Sequence, residues 1–138
     1  MSRILCIDYG TVRCGIAVTD PLQIIAKPLT AVEAKNIISF LKEYLSKEEV
    51  ELILVGEPKN LDDTDTHATK PVYDFVKKLN KEFPSKPVEL VDERYTSKMA
   101  TMEMVRMGMK KKDRQKKENK DIVAATLMLQ EYLERRER

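Results

Sequence analysis

The chain has 138 residues, of which 42% are hydrophobic and 35% charged, and this balance excludes a disordered protein. Its apolar stretches are far shorter than the roughly 18 residues of a membrane span, and the first residues lack a signal-peptide pattern, so we expect a cytoplasmic protein with no membrane partner. The net charge of +2 is unevenly distributed, because residues 106–120 contain eight basic and two acidic side chains, and this asymmetry predicts a phosphate-bearing partner.

The first predicted element is a hairpin made of two apolar runs, residues 4–9 and 14–19. Their branched apolar residues favour strands, and Gly10 permits a tight turn between them. Gly15 allows another backbone to approach closely inside the second strand. Both cysteines lie within these runs, which predicts buried, reduced thiols rather than a disulfide or a zinc site.

The next segment predicts a third strand over residues 24–29, in which Pro28 indicates an edge position. Thr30 and Glu33 have the spacing of a capping box, so we expect a helix to open there and to continue to about residue 47. The apolar run within residues 51–56 predicts a fourth strand that is covered on both faces.

Helices and strands alternate in the rest of the chain. A polar loop over residues 57–66 leads to a helix that ends near residue 82 and has Pro71 in its first turn. Residues 87–91 predict a fifth strand, and residues 96–107 a helix stopped by a glycine. Asn119 is expected to cap the last helix.

This order predicts an α/β domain over residues 1–138 with a mixed five-stranded sheet. The first three strands should be antiparallel, and the helices should cover both faces of the sheet. The connectivity is that of the ribonuclease H-like fold.

Three acidic residues stand where they could share metal ions. Asp8 ends the first strand, Glu93 follows the fifth, and Asp121 opens the last helix. If the first strand adjoins the fourth, and the fourth adjoins the fifth, their carboxyl ends form one crevice. Converging carboxylates repel one another unless cations bind, and hard oxygen ligands suit Mg²⁺ or Mn²⁺. Two such ions catalyse phosphodiester hydrolysis.

Alternatives exist for each acid. Asp8 could cap its own turn, and Asp121 could merely complement the helix dipole. Asp92 adjoins Glu93, and strand alternation sends these two side chains to opposite sides, so only one of them would contact metal.

Several motifs resemble the YqgF (RuvX) family along nearly the whole chain. They are IDYGTVRCGIA at residues 7–17, DPL at 20–22, VG-x-P at 55–58, VDERYTS at 91–97, and DIVAA with LQ-x-YL within 121–133. The resemblance implies a ribonuclease H-like nuclease, of a family assigned to Holliday junction resolution or to maturation of precursor 16S ribosomal RNA. It also implies metal-ligand roles for Asp8, Glu93 and Asp121. Two acids, Glu57 and Asp63, depart from the family pattern and add negative charge near the expected cleft.

Basic and polar residues around the acids are candidates for nucleic-acid binding. Segment 109–120 should be mobile without nucleic acid and should lie beside the cleft, because it leads into Asp121 and has few apolar anchors. The alternatives are surface ion pairs and a solvated loop. The candidates are Thr11, Arg13, Arg94, Lys110, Lys111, Lys112, Arg114, Lys116 and Lys117.

The expected reaction is Mg²⁺- or Mn²⁺-dependent hydrolysis of RNA, with precursor ribosomal RNA as substrate and no oligomer required. Branched DNA is the alternative substrate. A non-catalytic factor bound to RNA, the ribosome or the transcription machinery is another class of function. Asp8, Gly10 and Thr11 also match the phosphate-binding opening of actin-like ATPases, but those proteins clamp nucleotide between two such domains.

Overall fold

The protein is described here by a computed structural model that covers residues 2–57, 69–92, 106, 108, 110 and 117–136. Five strands and three helices are described, with a short 3₁₀ turn at Ala34–Asn36 before the first helix. In chain order they are β1 (Arg3–Asp8), β2 (Arg13–Thr19), β3 (Ala26–Glu33), α1 (Ile37–Lys47), β4 (Val50–Glu57), α2 (Thr69–Glu82), β5 (Val88–Asp92) and α3 (Lys117–Arg136).

The strands form one mixed sheet in the order β3-β2-β1-β4-β5. The first three strands form an antiparallel meander, whereas β4 pairs in parallel with β1, and β5 pairs in parallel with β4. The predicted five-stranded mixed sheet is therefore confirmed. Its central strand, β1, is buried from Ile4 to Ile7, as its apolar run indicates.

Side-chain alternation along the central strands builds two separate cores. One core joins alternate residues such as Ile7 and Val55 to the buried faces of α1 and α2. The other joins Ile4, Cys6 and Leu54 to α3. Helices thus cover both faces of the sheet, as predicted, and every side chain of a central strand can be assigned to the α1/α2 face or to the α3 face.

The expected capping box at Thr30 was wrong. β3 continues to Glu33, where Thr30, Ala31 and Val32 pair with residues of β2, and α1 begins only at Ile37. Pairing with a neighbouring strand supplies hydrogen bonds to this backbone and therefore overrides a local capping pattern. The edge position of Pro28 is confirmed, because β3 is the outermost strand of the described sheet.

The last helix begins earlier than predicted. α3 starts at Lys117, so Asn119 lies within the helix instead of capping it, and Asp121 falls in the second turn rather than the first. The effect of the helix dipole on Asp121 is weaker there, since it decays beyond the first turn. Pro71 does lie in the first turn of α2. The predicted loop beyond Glu57 and the predicted helix over residues 96–107 lie largely outside the described residues, although Gly108 has the positive φ, 79°, typical of a residue that ends a helix. None of the described helices is long and apolar enough to cross a membrane.

Candidate active site at the carboxyl ends of the parallel strands

Three parallel strands end at the same edge of the sheet, and each ends in an acidic residue. β1 ends at Asp8, β4 at Glu57 and β5 at Asp92. The register places Glu57 opposite Asp92, and Ile7 opposite Val55. The strand adjacency on which the predicted crevice depends is therefore present, since β1, β4 and β5 are parallel neighbours whose carboxyl ends share one edge.

The three strand-end acids are divided between the two faces of the sheet. Asp8 continues the alternation of Ile4 and Cys6 and so lies on the α3 face. Glu57 continues the alternation of Ile53 and Val55 and so lies on the α1/α2 face. There the Tyr73 hydroxyl of α2 donates a hydrogen bond of 2.5 Å to Oε2 of Glu57. The family departure at Glu57 therefore adds charge on the face opposite Asp8.

Gly15 brings Asp121 to the same place as Asp8. Gly15 pairs with Asp8 in the β1–β2 ladder. A Cβ atom built on Gly15 would lie 2.1 Å from the carbonyl oxygen of Asp121 and 2.6 Å from the amide nitrogen of Ile122. The α3 backbone therefore rests directly on β2 at this glycine, beside the strand position that carries Asp8.

The buried Cys14 thiol responds to both carboxylates. Burial is the main cause that raises its pKa from 9.0 to about 11, a backbone hydrogen bond with Gly10 lowers it, and the charges of Asp8 and Asp121 raise it. The charges of Asp8 and Asp121 therefore both act on this thiol. Cys14 stays protonated at neutral pH and is not a nucleophile, as its sequence context indicates.

Arg13 lies beside Asp121. Its Nε is 3.9 Å from Oδ2 of Asp121, whose side chain is 16% exposed. This nitrogen is buried and makes no hydrogen bond within the described part of the chain. The Arg13–Asp121 contact is therefore more than a solvated surface ion pair, since it places a cation against a half-buried carboxylate.

Two of the three predicted metal ligands are described, and they lie together. Asp8 and Asp121 share the α3 face next to Gly15, whereas Glu93 lies outside the described residues. Asp92 ends β5 beyond Val91, whose side chain packs on the α3 face, so Asp92 lies on the opposite one. Within residues 2–57, 69–92 and 117–136, no group of three or more His, Cys, Asp or Glu residues that could hold a metal ion is found.

The predicted nucleic-acid contacts are only partly described. Thr11 is exposed in the turn after Asp8, Lys110 is exposed, and Lys117 is the first residue of α3 rather than part of a loop. The other predicted contacts lie outside the described residues: Arg94, Lys111, Lys112, Arg114 and Lys116.

An aromatic pair that the sequence analysis missed borders the site. Tyr9, next to Asp8, stacks on Phe75 of α2 with ring centroids 4.3 Å apart and planes 17° from parallel. Burial, followed by the charges of Cys14 and Asp74, raises the pKa of the Tyr9 hydroxyl. The available signal was an aromatic residue directly after a strand-end aspartate, but its partner on α2 could not be read from spacing.

Comparison with known proteins finds a family that matches nearly the whole chain. The family model described as "RuvX: Holliday junction resolvase" matches residues 2–135. A protein of Christiangramia forsetii named "Putative pre-16S rRNA nuclease" is 49% identical over 133 residues, which are 96% of this chain and 98% of that protein. A protein of Flavobacterium psychrophilum with the same name is 48% identical over 136 residues, 99% of each chain.

A solved structure shares the fold. It is described as "T. thermophilus RuvC in complex with Holliday junction substrate" and covers 99% of this chain and 96% of its own, with a TM-score of 0.58 and 18% identity. At this identity the likeness concerns the fold alone. The predicted ribonuclease H-like architecture is confirmed.

Proposed function

The chain belongs to the RuvX family, and on that premise we propose that it is a metal-dependent nuclease that hydrolyses phosphodiester bonds of precursor 16S ribosomal RNA. The observation that carries the proposal is the meeting of Asp8 and Asp121 on one face of the sheet, at the close contact between Gly15 and α3. The names of the relatives supply the substrate, since both are named for precursor 16S ribosomal RNA.

The donor set fits Mg²⁺ or Mn²⁺. Carboxylate oxygens are hard ligands, and Mg²⁺ keeps several waters and needs only one or two protein carboxylates when substrate phosphate completes its shell. Asp8 and Asp121 supply two such groups, and Glu93 is the proposed third. We favour Glu93 over Asp92 because Asp92 lies on the face opposite Asp8.

When bound, Mg²⁺ or Mn²⁺ ions would activate the attacking water and stabilise charge on the leaving oxygen. The chain's own residues position the reactants. Asp8 is held by the central strand, and Asp121 is held against β2 by Gly15. Arg13 is half-exposed beside Asp121, so its guanidinium can bind a phosphate oxygen while it balances the carboxylates.

Attack by water with departure of the 3′-oxygen leaves a 5′-phosphate and a 3′-hydroxyl. The ribose 2′-hydroxyl takes no part in this reaction, so the same groups could cleave DNA. The family description makes a Holliday junction the second candidate substrate. A cleavage assay distinguishes RNA from branched DNA as the substrate.

The test is cleavage of three substrates: a precursor 16S ribosomal RNA, a single-stranded RNA and a four-way DNA junction. We expect the unaltered protein with Mg²⁺ to cleave the precursor RNA, and Asp8→Asn to abolish cleavage while binding is retained. Asp74→Asn is the matched control, because Asp74 is exposed on α2 and forms an ion pair with Lys70 of the same helix. Cleavage that survives both EDTA and Asp8→Asn would refute the mechanism. Cleavage of the junction alone would show that branched DNA, and not precursor RNA, is the substrate.

A further inference from the structure

A second group of side chains lies at the same sheet edge as Asp8, but on the α1/α2 face. Ile7 is opposite Val55, so Tyr9 and Glu57 stand at the same level on neighbouring parallel strands. Such strands lie about 4.8 Å apart, which lets one planar ligand contact both residues. Phe75 and Tyr73 of α2 complete the group by contacting Tyr9 and Glu57 respectively.

Tyr9 is the outer ring of its aromatic stack. Phe75 is 4% exposed, whereas Tyr9 is half-buried and lies nearly parallel to it. One face of Tyr9 is therefore occupied by Phe75, and the accessible surface of the ring lies on the side away from the core. A fixed aromatic ring at the edge of a nucleic-acid site is a stacking platform for an unpaired base.

Glu57 is a fixed acceptor beside that ring. Its carboxylate is half-buried, and the Tyr73 hydroxyl holds Oε2 at 2.5 Å. A carboxylate can accept about four hydrogen bonds, and no second hydrogen bond to Glu57 is made by the described residues. The group therefore presents unused acceptor capacity, with its orientation already set.

We propose that Tyr9 and Glu57 form a subsite that selects guanine in the nucleotide next to the scissile phosphate. The inference rests on the proposed nuclease function. Guanine alone carries two adjacent donors, N1–H and the N2 amino group, on its Watson–Crick edge, and these match the two oxygens of one carboxylate. Adenine, cytosine and uracil each place an acceptor next to their single donor group, and this acceptor would face the carboxylate. Tyr9 directly follows Asp8 at the edge where the two faces of the sheet meet, so a base stacked on Tyr9 would lie around that edge from Asp8, one nucleotide from the scissile phosphate.

The experiment measures binding to short uridine oligomers that carry one central guanosine, inosine, adenosine or uridine. Asp8→Asn protein is used so that the RNA stays intact, and fluorescence anisotropy gives the affinity. Guanosine should bind about tenfold more tightly than adenosine or uridine, which is within the range of a good bidentate base contact. Inosine lacks the N2 amino group and should be intermediate. This series tests the subsite without altering its residues.

Two substitutions then assign the roles. Glu57→Gln should remove the preference for guanosine, because an amide offers one acceptor and one donor. Tyr9→Leu should weaken binding to all four oligomers and leave their ratio unchanged. Glu49→Gln is the matched control, because Glu49 is an exposed glutamate at the opposite end of β4. It should change neither the preference for guanosine nor the affinity for the four oligomers.

The outcomes separate this inference from the proposed function. Equal affinity for the four oligomers, or a guanosine preference that survives Glu57→Gln, would overturn the subsite and show that the Tyr73–Glu57 contact only anchors α2. RNA cleavage without any base preference would overturn the subsite while the nuclease stands. Guanosine-selective binding by a protein that cleaves nothing would support the subsite and refute the nuclease.

Discussion

Gly15 has no side chain because the backbone of α3 occupies the space where one would be. A methyl group there would lie 2.1 Å from the Asp121 carbonyl oxygen, and a backbone atom cannot move aside as a flexible side chain does. Gly15→Ala must therefore displace the helix at Asp121. We expect a loss of about 1–3 kcal/mol in unfolding free energy, typical of overpacking, together with loss of cleavage, measured by urea denaturation and by nuclease assay.

Ser39→Ala is the control for this change, because Ser39 is exposed on α1, away from the site. It should alter stability by no more than about 0.5 kcal/mol and leave cleavage intact. A Gly15→Ala protein with normal stability and activity would show that α3 does not need this contact to place Asp121.

Cys14 makes stability depend on alkaline pH. Its pKa is about 11 in the folded protein, against an ordinary value of 9.0, so between these values the unfolded chain loses a proton that the folded chain keeps. The contribution of Cys14 to the unfolding free energy is fully present below pH 9. It is lost as the pH rises towards 11, and the total loss is at most roughly 3 kcal/mol. Urea denaturation at pH 8 and pH 10.5 should show the decline, and it should be smaller in Cys14→Ala. Tyr9 and Tyr44, whose pKa values are also raised, act in the same direction, so the decline should not vanish.

At the scale of elements, the basic segment before α3 is predicted to bind phosphates without reading sequence. Replacing Lys110, Lys111 and Lys112 by alanine should weaken binding to all RNA sequences alike. Each phosphate contact to a single strand contributes about 0.7 to the slope of log affinity against log salt, so the slope should fall by up to about 2. Anisotropy titrations at several salt concentrations measure both effects.

The control removes the same charge from another element. Three exposed lysines of α2 are changed to alanine in place of the segment's three: Lys77, Lys78 and Lys81. Equal losses of affinity in the two triple variants would mean that net charge, rather than the segment before α3, governs binding.

The sequence predicted the elements better than their ends. Apolar runs and alternation identified all five strands, because burial of a strand leaves a direct record in its residues. The predicted end of β3 and the predicted start of α1 were wrong. Thr30 and Glu33 pair with β2, and a local sequence pattern does not reveal such a contact. The predicted start of α3 was also wrong, because the helix already includes Lys117 and Asn119 does not cap it.

The site was predictable only in part, for a related reason. Asp8 and Asp121 stood out as acids at element ends, and Gly15 was expected to admit a close backbone approach. That the approaching backbone is Asp121 itself follows from docking of α3, which spacing does not specify. The Tyr9–Phe75 stack and the Tyr73–Glu57 hydrogen bond depend on the register of β1 on β4 and on the position of α2 on the sheet. Neither contact could therefore be predicted from the sequence.

At the scale of the whole molecule, metal binding should stabilise the fold. Asp8 belongs to the central strand and Asp121 to the helix on its α3 face, so an ion held by both would join the two layers. A ligand that binds only the folded state at a hundredfold excess over its dissociation constant stabilises it by about 2.7 kcal/mol. Mg²⁺ should therefore raise the midpoint of thermal unfolding, and EDTA should reverse the shift.

This effect should depend on the site and not on ionic strength. Asp8→Asn should lose the Mg²⁺-induced shift, whereas Asp74→Asn should keep it. A matched concentration of Na⁺ should give no comparable shift in any of the three proteins. If Mg²⁺ stabilised Asp8→Asn as much as the unaltered protein, Asp8 would not be a ligand.

The contact between Gly15 and Asp121 also sets the time at which the site can exist. Asp8 belongs to the first described strand and Asp121 to the last described helix, so a chain still being synthesised holds one carboxylate long before the other. The α3 face of the sheet stays uncovered until the apolar residues of α3 have left the ribosome and packed against Ile4, Cys6 and Leu54. A nascent chain therefore cannot bring Asp8 and Asp121 together while α3 is still inside the ribosome, and the proposed site forms only after α3 has emerged and packed on the sheet.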